Sequence, residues 1–231
     1  MSKFVVAIDG GAGSGKSTTA RGVAKRLNFF YLDTGAMYRA FTLKYLQNRH
    51  KSEDRINMEL VERLLIDTTI ELRQENGETR VYLDGDDVTL AIRTPEVSGF
   101  VSQVSAIPDV RVWMVAKQRG IAEGKNVVCE GRDIGTVVFP DAQVKIFMQA
   151  DLKTRTERRL KELAEKKITT DTEEVAENLK FRDKYDSGRA HSPLKKADDA
   201  IVVDTTDLTI EQEIKLVRKI VEEHFRSQTG G

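Results

Sequence analysis

The stretch GGAGSGKST, Gly10 to Thr18, has the residue types of a cradle for oxyanions. It fits G-x-x-x-x-G-K-[ST] through Gly10, Gly15, Lys16 and Ser17, with Gly11, Ala12, Gly13 and Ser14 between them. Glycines let successive backbone N–H groups curl around phosphate oxygens, a lysine here reaches the outer phosphates, and the hydroxyl beside it can hold Mg²⁺. A flexible glycine turn would share the composition. Here, however, the apolar run Phe4–Ile8 precedes the loop and a helical pattern starts inside it at Ser17. A helix N-terminus adds positive potential at that point. The reading is a nucleoside triphosphate site with Mg²⁺ at Ser17.

Charges gather at other strand ends as well. Asn126–Val127–Val128–Cys129 runs into Glu130, Gly131, Arg132 and Asp133, and LDTGAMYR places Thr34 and Gly35 in an expected loop ahead of Arg39. In FRDKYDSGRAHSPL, Arg182, Asp186 and Arg189 stand four and three apart, which on one helix sets them on one face. Such a trio can be a solvated ion-pair ladder. Beside an anion-binding loop, arginines instead suit a transferring phosphoryl group and an acceptor phosphate, through bidentate bonds and charge neutralisation. Arg155, Arg158 and Arg159 in KTRTERRLK have two equal readings, an exposed basic helix face or a set that closes over the triphosphate.

The elements that must position these groups follow from periodicity. Strands are expected at Phe4–Ile8, Phe29–Leu32, Asn126–Glu130, Val144–Met148 and Ala200–Val203, and helices at Ser17–Leu27, Tyr38–Leu46 and Thr209–Phe225. The last carries an apolar stripe, Ile210, Ile214, Val217 and Val221, behind a Thr209 cap with Gln212. Alternating strands and helices argue for an α/β fold, a parallel sheet with helices on both faces. Thr69–Val88 breaks the rhythm: it alternates about Asn76–Gly77, the signature of an antiparallel hairpin insert. The polar segment Glu162–Glu174 reads as a mobile lid or a solvated loop, and Ser227–Gly231 as a loose tail.

Composition narrows the partners. In 231 residues, 37 basic and 37 acidic side chains cancel, which argues against a nucleic-acid polymer as ligand. One cysteine permits no intrachain disulfide, and the N-terminus MSKFVVAIDGG is too short for a signal peptide or membrane span. A soluble, cytoplasmic protein with no membrane partner is expected. His50, His191 and His224 have no second ligand at metal-binding spacing.

The segments DGGAGSGKSTTARGVA, YLDTGAMYRA, SQVSAIPDVR, EGRDIGTVVFPDA and ADDAIVVDTT, with RD and DSGRAHSPL, resemble the bacterial cytidylate kinases, within the nucleoside monophosphate kinase superfamily. The resemblance runs over nearly the whole chain, and EGRDIGTVVFPDA is more specific than the phosphate loop. It implies a P-loop NTPase fold with a CORE (1–62, 104–152 and 174–231), a monophosphate-binding insert (63–103) and a mobile LID (153–173). It implies phosphate transfer from ATP to CMP or dCMP by a monomer. It assigns Thr34, Arg39, Ser102, Arg111, Arg132, Asp133, Arg182, Asp186 and Arg189 to the monophosphate. Arg39, Arg132, Arg182 and Arg189 hold the acceptor phosphate; Ser102, Arg111 and Asp133 read the base; Asp186, with Arg182, takes the ribose. Lys16, Arg132, Arg182 and Arg189 are the implied catalytic set. Thr34 stands where many relatives have serine, and Glu130 where some have aspartate.

The chemistry of the base agrees. Cytosine offers an N4 donor with N3 and O2 acceptors, which Asp133 can accept from and Arg111 and Ser102 can donate to. Uracil inverts two of these positions and would leave buried groups unpaired. Glu130 keeps three roles open: magnesium shell, ribose contact or ion-pair partner. Two rival readings are a regulatory or DNA-handling ATPase and a kinase of a non-nucleotide metabolite. Neither uses the arginine set or the Asp133–Arg111–Ser102 pattern.

Overall fold

The computed structural model describes residues 3–50, 55–75, 78–165, 168 and 170–229. The chain divides into two compact units, one comprising Leu32–Glu123 and the other Ser2–Tyr31 with Gly124–Gly231.

The second unit is built on a five-stranded sheet in the order β2-β6-β1-β7-β8, from β1 (Phe4–Gly10), β2 (Phe30–Asp33), β6 (Asn126–Gly131), β7 (Val144–Gln149) and β8 (Ile201–Asp204). β1 pairs in parallel with β6 and β7, and β7 with β8. Val6 and Ile8 on one face of β1, and Val5 and Ala7 on the other, are all buried. This is the continuous apolar signature of a strand covered on both sides. The helices α1 (Lys16–Leu27) and α8 (Ile210–Thr229) pack on the Val6–Ile8 face through Ala20, Val23, Ile214, Val217 and Val221. Thr209 and Gln212 form a reciprocal capping box at the start of α8: the Gln212 amide donates to Thr209 Oγ1 at 3.3 Å, and the Thr209 amide to Gln212 Oε1 at 2.9 Å.

Three expectations are corrected here. Ile210 heads the expected apolar stripe but is 56% exposed, and the core begins only at Ile214, one turn further on. The expected tail is helical through Thr229, with Ser227 Oγ donating to the His224 carbonyl; Gly230 and Gly231 lie outside the described residues. In the polar segment, Glu162 to Glu165 close α6 (Leu152–Glu165) and Thr172 to Glu174 open α7 (Thr172–Ser187), while residues 166, 167 and 169 lie outside the described residues. Leu152, Leu160 and Leu163 of α6 pack with Val175 and Leu179 of α7 and with Ala12 of the loop.

The Leu32–Glu123 unit packs α2 (Thr34–Asn48), α3 (Met58–Asp67), α4 (Pro95–Val104) and α5 (Pro108–Ala122) with a three-stranded antiparallel sheet. In that sheet β3 (Ile70–Glu75) pairs with β4 (Glu78–Leu83), Glu75 opposite Glu78, and β4 with the short β5 (Asp86–Asp87). Ile70, Leu72, Val81 and Leu83 are buried while Glu71 and Arg73 are exposed, the period of two that the sequence carries. The expected turn residues Asn76 and Gly77 lie outside the described residues. Phe41, Met37 and Tyr45 of α2 form the centre of this core. The Phe41 ring lies 5.6 Å from that of Trp113.

Thr34 and Gly35 are the first turn of α2, not a loop. Asp33 is the reason: its carboxylate accepts from the Ala36 amide at 2.8 Å and starts the helix there.

Candidate active site

β1 ends where the phosphate loop begins, and α1 starts at Lys16. Gly15 takes a left-handed φ of 86° at the N-cap and offers no side-chain cap, which leaves the first helical amides for an anion. Gly10 has no room for a side chain, since a Cβ would sit 2.2 Å from the Met148 carbonyl oxygen on β7. Ser14 Oγ and Lys16 Nζ both donate to the Gly11 carbonyl, at 3.0 and 3.1 Å, and hold the loop in its curl.

Lys16 is only 5% exposed. Burial lowers its pKa to about 7, Arg132 and Arg182 add to the effect, and Glu130 and Asp186 oppose it. These charges therefore converge on the loop lysine from β6 and α7 within one unit. Glu130, at the end of β6, is buried; it accepts from Ser17 Oγ at 2.6 Å and Tyr31 Oη at 3.2 Å, and stands 4.0 Å from Lys16 Nζ. Of the roles open to Glu130, these contacts match the ion-pair partner and set its carboxylate beside the Ser17 hydroxyl. Ser17 and Glu130 together present only oxygen ligands. Among the described residues no group of three His, Cys, Asp or Glu side chains could hold a metal. A hydroxyl, one carboxylate and nucleotide phosphates are a donor set that fits Mg²⁺.

Arg132 Nε donates to Asp186 Oδ2 at 2.8 Å, and Arg189 pairs with the other Asp186 oxygen. Burial alone would raise the Asp186 pKa, but Arg132 and Arg189 outweigh it and hold the carboxyl below the usual range. The expected single helical face is corrected: α7 ends at Ser187 with Gly188 as its C-cap, so Arg189 lies past the helix and folds back to Asp186. Arg182 remains on α7.

Asp133 is buried, and its carbonyl accepts from the Val137 and Val138 amides at 2.9 and 3.1 Å. The following Ile134–Val138 segment is a π-helical turn. Asp9 builds it. Both Asp9 oxygens accept backbone amides at 2.8 Å, from Ile134 and from Gly135. Burial raises the Asp9 pKa to about 6, against the pull of those two hydrogen bonds. Sequence reasoning missed Asp9, although a carboxylate at the end of the buried run FVVAI is itself a signal.

The three arginines of the basic helix α6 have different partners. Arg155 Nη1 donates to the Ala12 carbonyl at 3.2 Å and to Asp183 Oδ2 at 2.7 Å. Arg158 donates to Thr205, Leu208 and Glu213, and Arg159 to Glu162 at 2.6 Å. Arg155 and Arg158 thus pack against the phosphate loop and its surroundings, and are not an exposed basic face.

Within the Leu32–Glu123 unit, Thr34 is buried at the start of α2 and Arg39 Nη1 donates to Ser98 Oγ at 2.9 Å. Arg111, on α5, is buried, donates to the Ser105 carbonyl at 3.0 Å and lies over the Tyr38 ring at 5.4 Å. Ser105 Oγ in turn donates to the Ser102 carbonyl at 3.2 Å, so Ser102 and Arg111 share one neighbour. Asp33, Tyr38, Ser98 and Ser105 are the supporting residues that sequence reasoning did not single out.

A glycine-rich loop joining a parallel strand to a helix, with a buried lysine and a serine–carboxylate pair, defines a P-loop nucleotide-binding protein. The chain matches the family model described as cytidylate kinase over residues 6–223. It is 51% identical over 223 residues to the cytidylate kinase of Caldanaerobacter subterraneus subsp. tengcongensis, covering 96% of each chain. To that of Carboxydothermus hydrogenoformans it is 48% identical, covering 94% of this chain and 96% of the relative. The crystal structure of an uncharacterized protein from Eubacterium ventriosum shares the fold, with a TM-score of 0.51 at 14% identity, covering 95% of this chain and 99% of that one. The chain belongs to the cytidylate kinase family.

Proposed function

We propose that the protein transfers the γ-phosphate of ATP to the 5′-phosphate of CMP or dCMP, giving ADP and CDP or dCDP. The observation that carries the reading is the convergence of Arg132, Arg182 and the Asp186–Arg189 pair on the lysine of the phosphate loop. Family membership supports the same assignment.

Positioning and electrostatics supply the catalysis. The loop amides and Lys16 cradle the triphosphate, with Arg155 and Arg158 beside them. Arg39, Arg132, Arg182 and Arg189 receive the acceptor phosphate and neutralise charge that spreads over the transferring oxygens. Asp186 orients Arg132 and Arg189 and, with Arg182, accepts the ribose. Asp133, Arg111 and Ser102 read the cytosine edge, and Thr34 supports the acceptor. The attacking phosphate oxygen is largely deprotonated at neutral pH, with a second pKa near ~6, so no dedicated base is required. Ser17, with Glu130 behind it, would hold Mg²⁺, which when bound neutralises charge on the triphosphate.

In functional terms the chain divides into CORE (1–62, 104–152, 174–231), insert (63–103) and LID (153–173), and it works as a cytoplasmic monomer on small molecules. Among the described residues no helix is long and apolar enough to cross a membrane. Mixing the protein with ATP and Mg²⁺ and then adding CMP tests the reading. ADP should appear only once CMP is present. Steady ADP release without an acceptor would point to a regulatory ATPase instead.

A further inference from the structure

α8 contributes to the unit's core through Ile214, Val217 and Val221, yet the same buried face carries a glutamate. Glu213 is 1% exposed. Burial raises its pKa, and hydrogen bonds from Thr19 and Arg158 work against that rise. Glu213 Oε2 accepts from Thr19 Oγ1 on α1 at 2.6 Å, and Glu213 Oε1 from Arg158 Nη2 on α6 at 2.8 Å. The same guanidinium donates to the Thr205 carbonyl at 2.7 Å, the Leu208 carbonyl at 3.2 Å and Thr205 Oγ1 at 3.0 Å. Thr205 Oγ1 then donates to the carbonyl of Ser14 in the phosphate loop at 3.1 Å. A Cβ on Gly15 would meet Glu213 Oε2 at 2.5 Å and Arg158 Nη1 at 3.2 Å. A carboxylate therefore lies directly behind a loop built to receive polyanions.

An isolated buried carboxylate there would repel phosphate and would itself be costly. Paired with Arg158 it becomes an anchor. We propose that Glu213 is a positioning residue of the triphosphate site: it fixes the Arg158 guanidinium against Gly15, so that the cation stands in place before the nucleotide arrives. The inference rests on the reading of Arg158 as a triphosphate-side residue. It adds α8 to the elements that build that side of the site.

The charge arrangement makes an unusual double-variant signature. Glu213→Gln keeps size and shape but loses the ion pair, and should weaken ADP binding by about 5-fold. Arg158→Ala removes the cation and also strands the Glu213 charge behind the loop, and should weaken ADP binding by about 20-fold or more. The double variant should then bind ADP more tightly than Arg158→Ala alone, by about 3-fold, because the stranded charge is gone. KM for CMP at saturating ATP should stay within about 2-fold in Glu213→Gln, since the acceptor arginines are not involved. Independent, multiplying effects of the two substitutions would overturn the proposal. So would an unchanged ADP affinity in Glu213→Gln, or parallel losses in ADP affinity, KM for CMP and melting temperature. ADP titration needs no acceptor. Failure of wild-type protein to form ADP with CMP would count against the proposed function and leave the Glu213 test standing.

Discussion

A phosphate ligand favours a charged Lys16, yet the fold buries it among other cations. Its pKa is lowered to about 7 by burial first and then by Arg132. Below its ordinary value and above about 7 the unfolded chain holds more protons than the folded one, so this group favours folding more as pH rises through that window. Asp9 runs the other way. Its pKa is raised to about 6, so between the ordinary carboxylate value and 6 the folded protein holds the extra proton, and the Asp9 contribution to stability falls as pH rises there. A bound polyphosphate should restore the charge on Lys16, because an opposite charge nearby favours the protonated amine. Binding of ADP at pH 8 should therefore take up about one proton, measured by calorimetry in buffers of different ionisation enthalpy, and Lys16→Met should abolish the uptake. Equal uptake in the variant would place the titration elsewhere. At this scale the sequence was legible for the loop itself, because Gly10, Gly15, Lys16 and Ser17 act through neighbours in the chain. Glu130 was ambiguous, because its partners Ser17 and Tyr31 are brought to it only by strand pairing.

Among the elements, β1, α1, β6 and β7 were readable from apolar runs and periodicity to within a few residues. The start of α2 was not, because the short-range cap from Asp33 outweighed the glycine in Thr34–Gly35. The end of α7 was misplaced for a similar reason: Gly188 closes the helix, and the Asp186 charge draws Arg189 back across the gap. The π turn Ile134–Val138 was invisible in sequence, since what shapes it is a carboxylate 125 residues earlier in the chain. That turn follows directly on Arg132 and Asp133, so its placement sets where both side chains start. Asp9→Asn retains one acceptor and turns an N–H₂ group toward the other backbone amide, at a cost of about 1.5–3 kcal/mol. We expect KM for CMP to rise about 5-fold or more, and to rise further than KM for ATP. A change confined to ATP would show that Asp9 serves the phosphate loop alone.

For the molecule as a whole, zero net charge conceals a local gathering of cations around Lys16, with Glu130 and Asp186 interleaved among Arg132 and Arg182. Balanced composition argued against a polyanion wrap and left room for a small phosphate ligand. The antiparallel insert was readable because alternation survives in β3 and β4. The division into units at Leu32 and Glu123 was not, because no linker or composition shift marks those positions. In the proposed function the base is read by groups far apart in sequence, and selectivity for cytosine is what that proposal stands on. Steady-state assays with CMP, dCMP and UMP in parallel test it most directly. Specificity constants for CMP and dCMP should exceed the UMP value by at least about 10²-fold. Equal constants for UMP and CMP would contradict it.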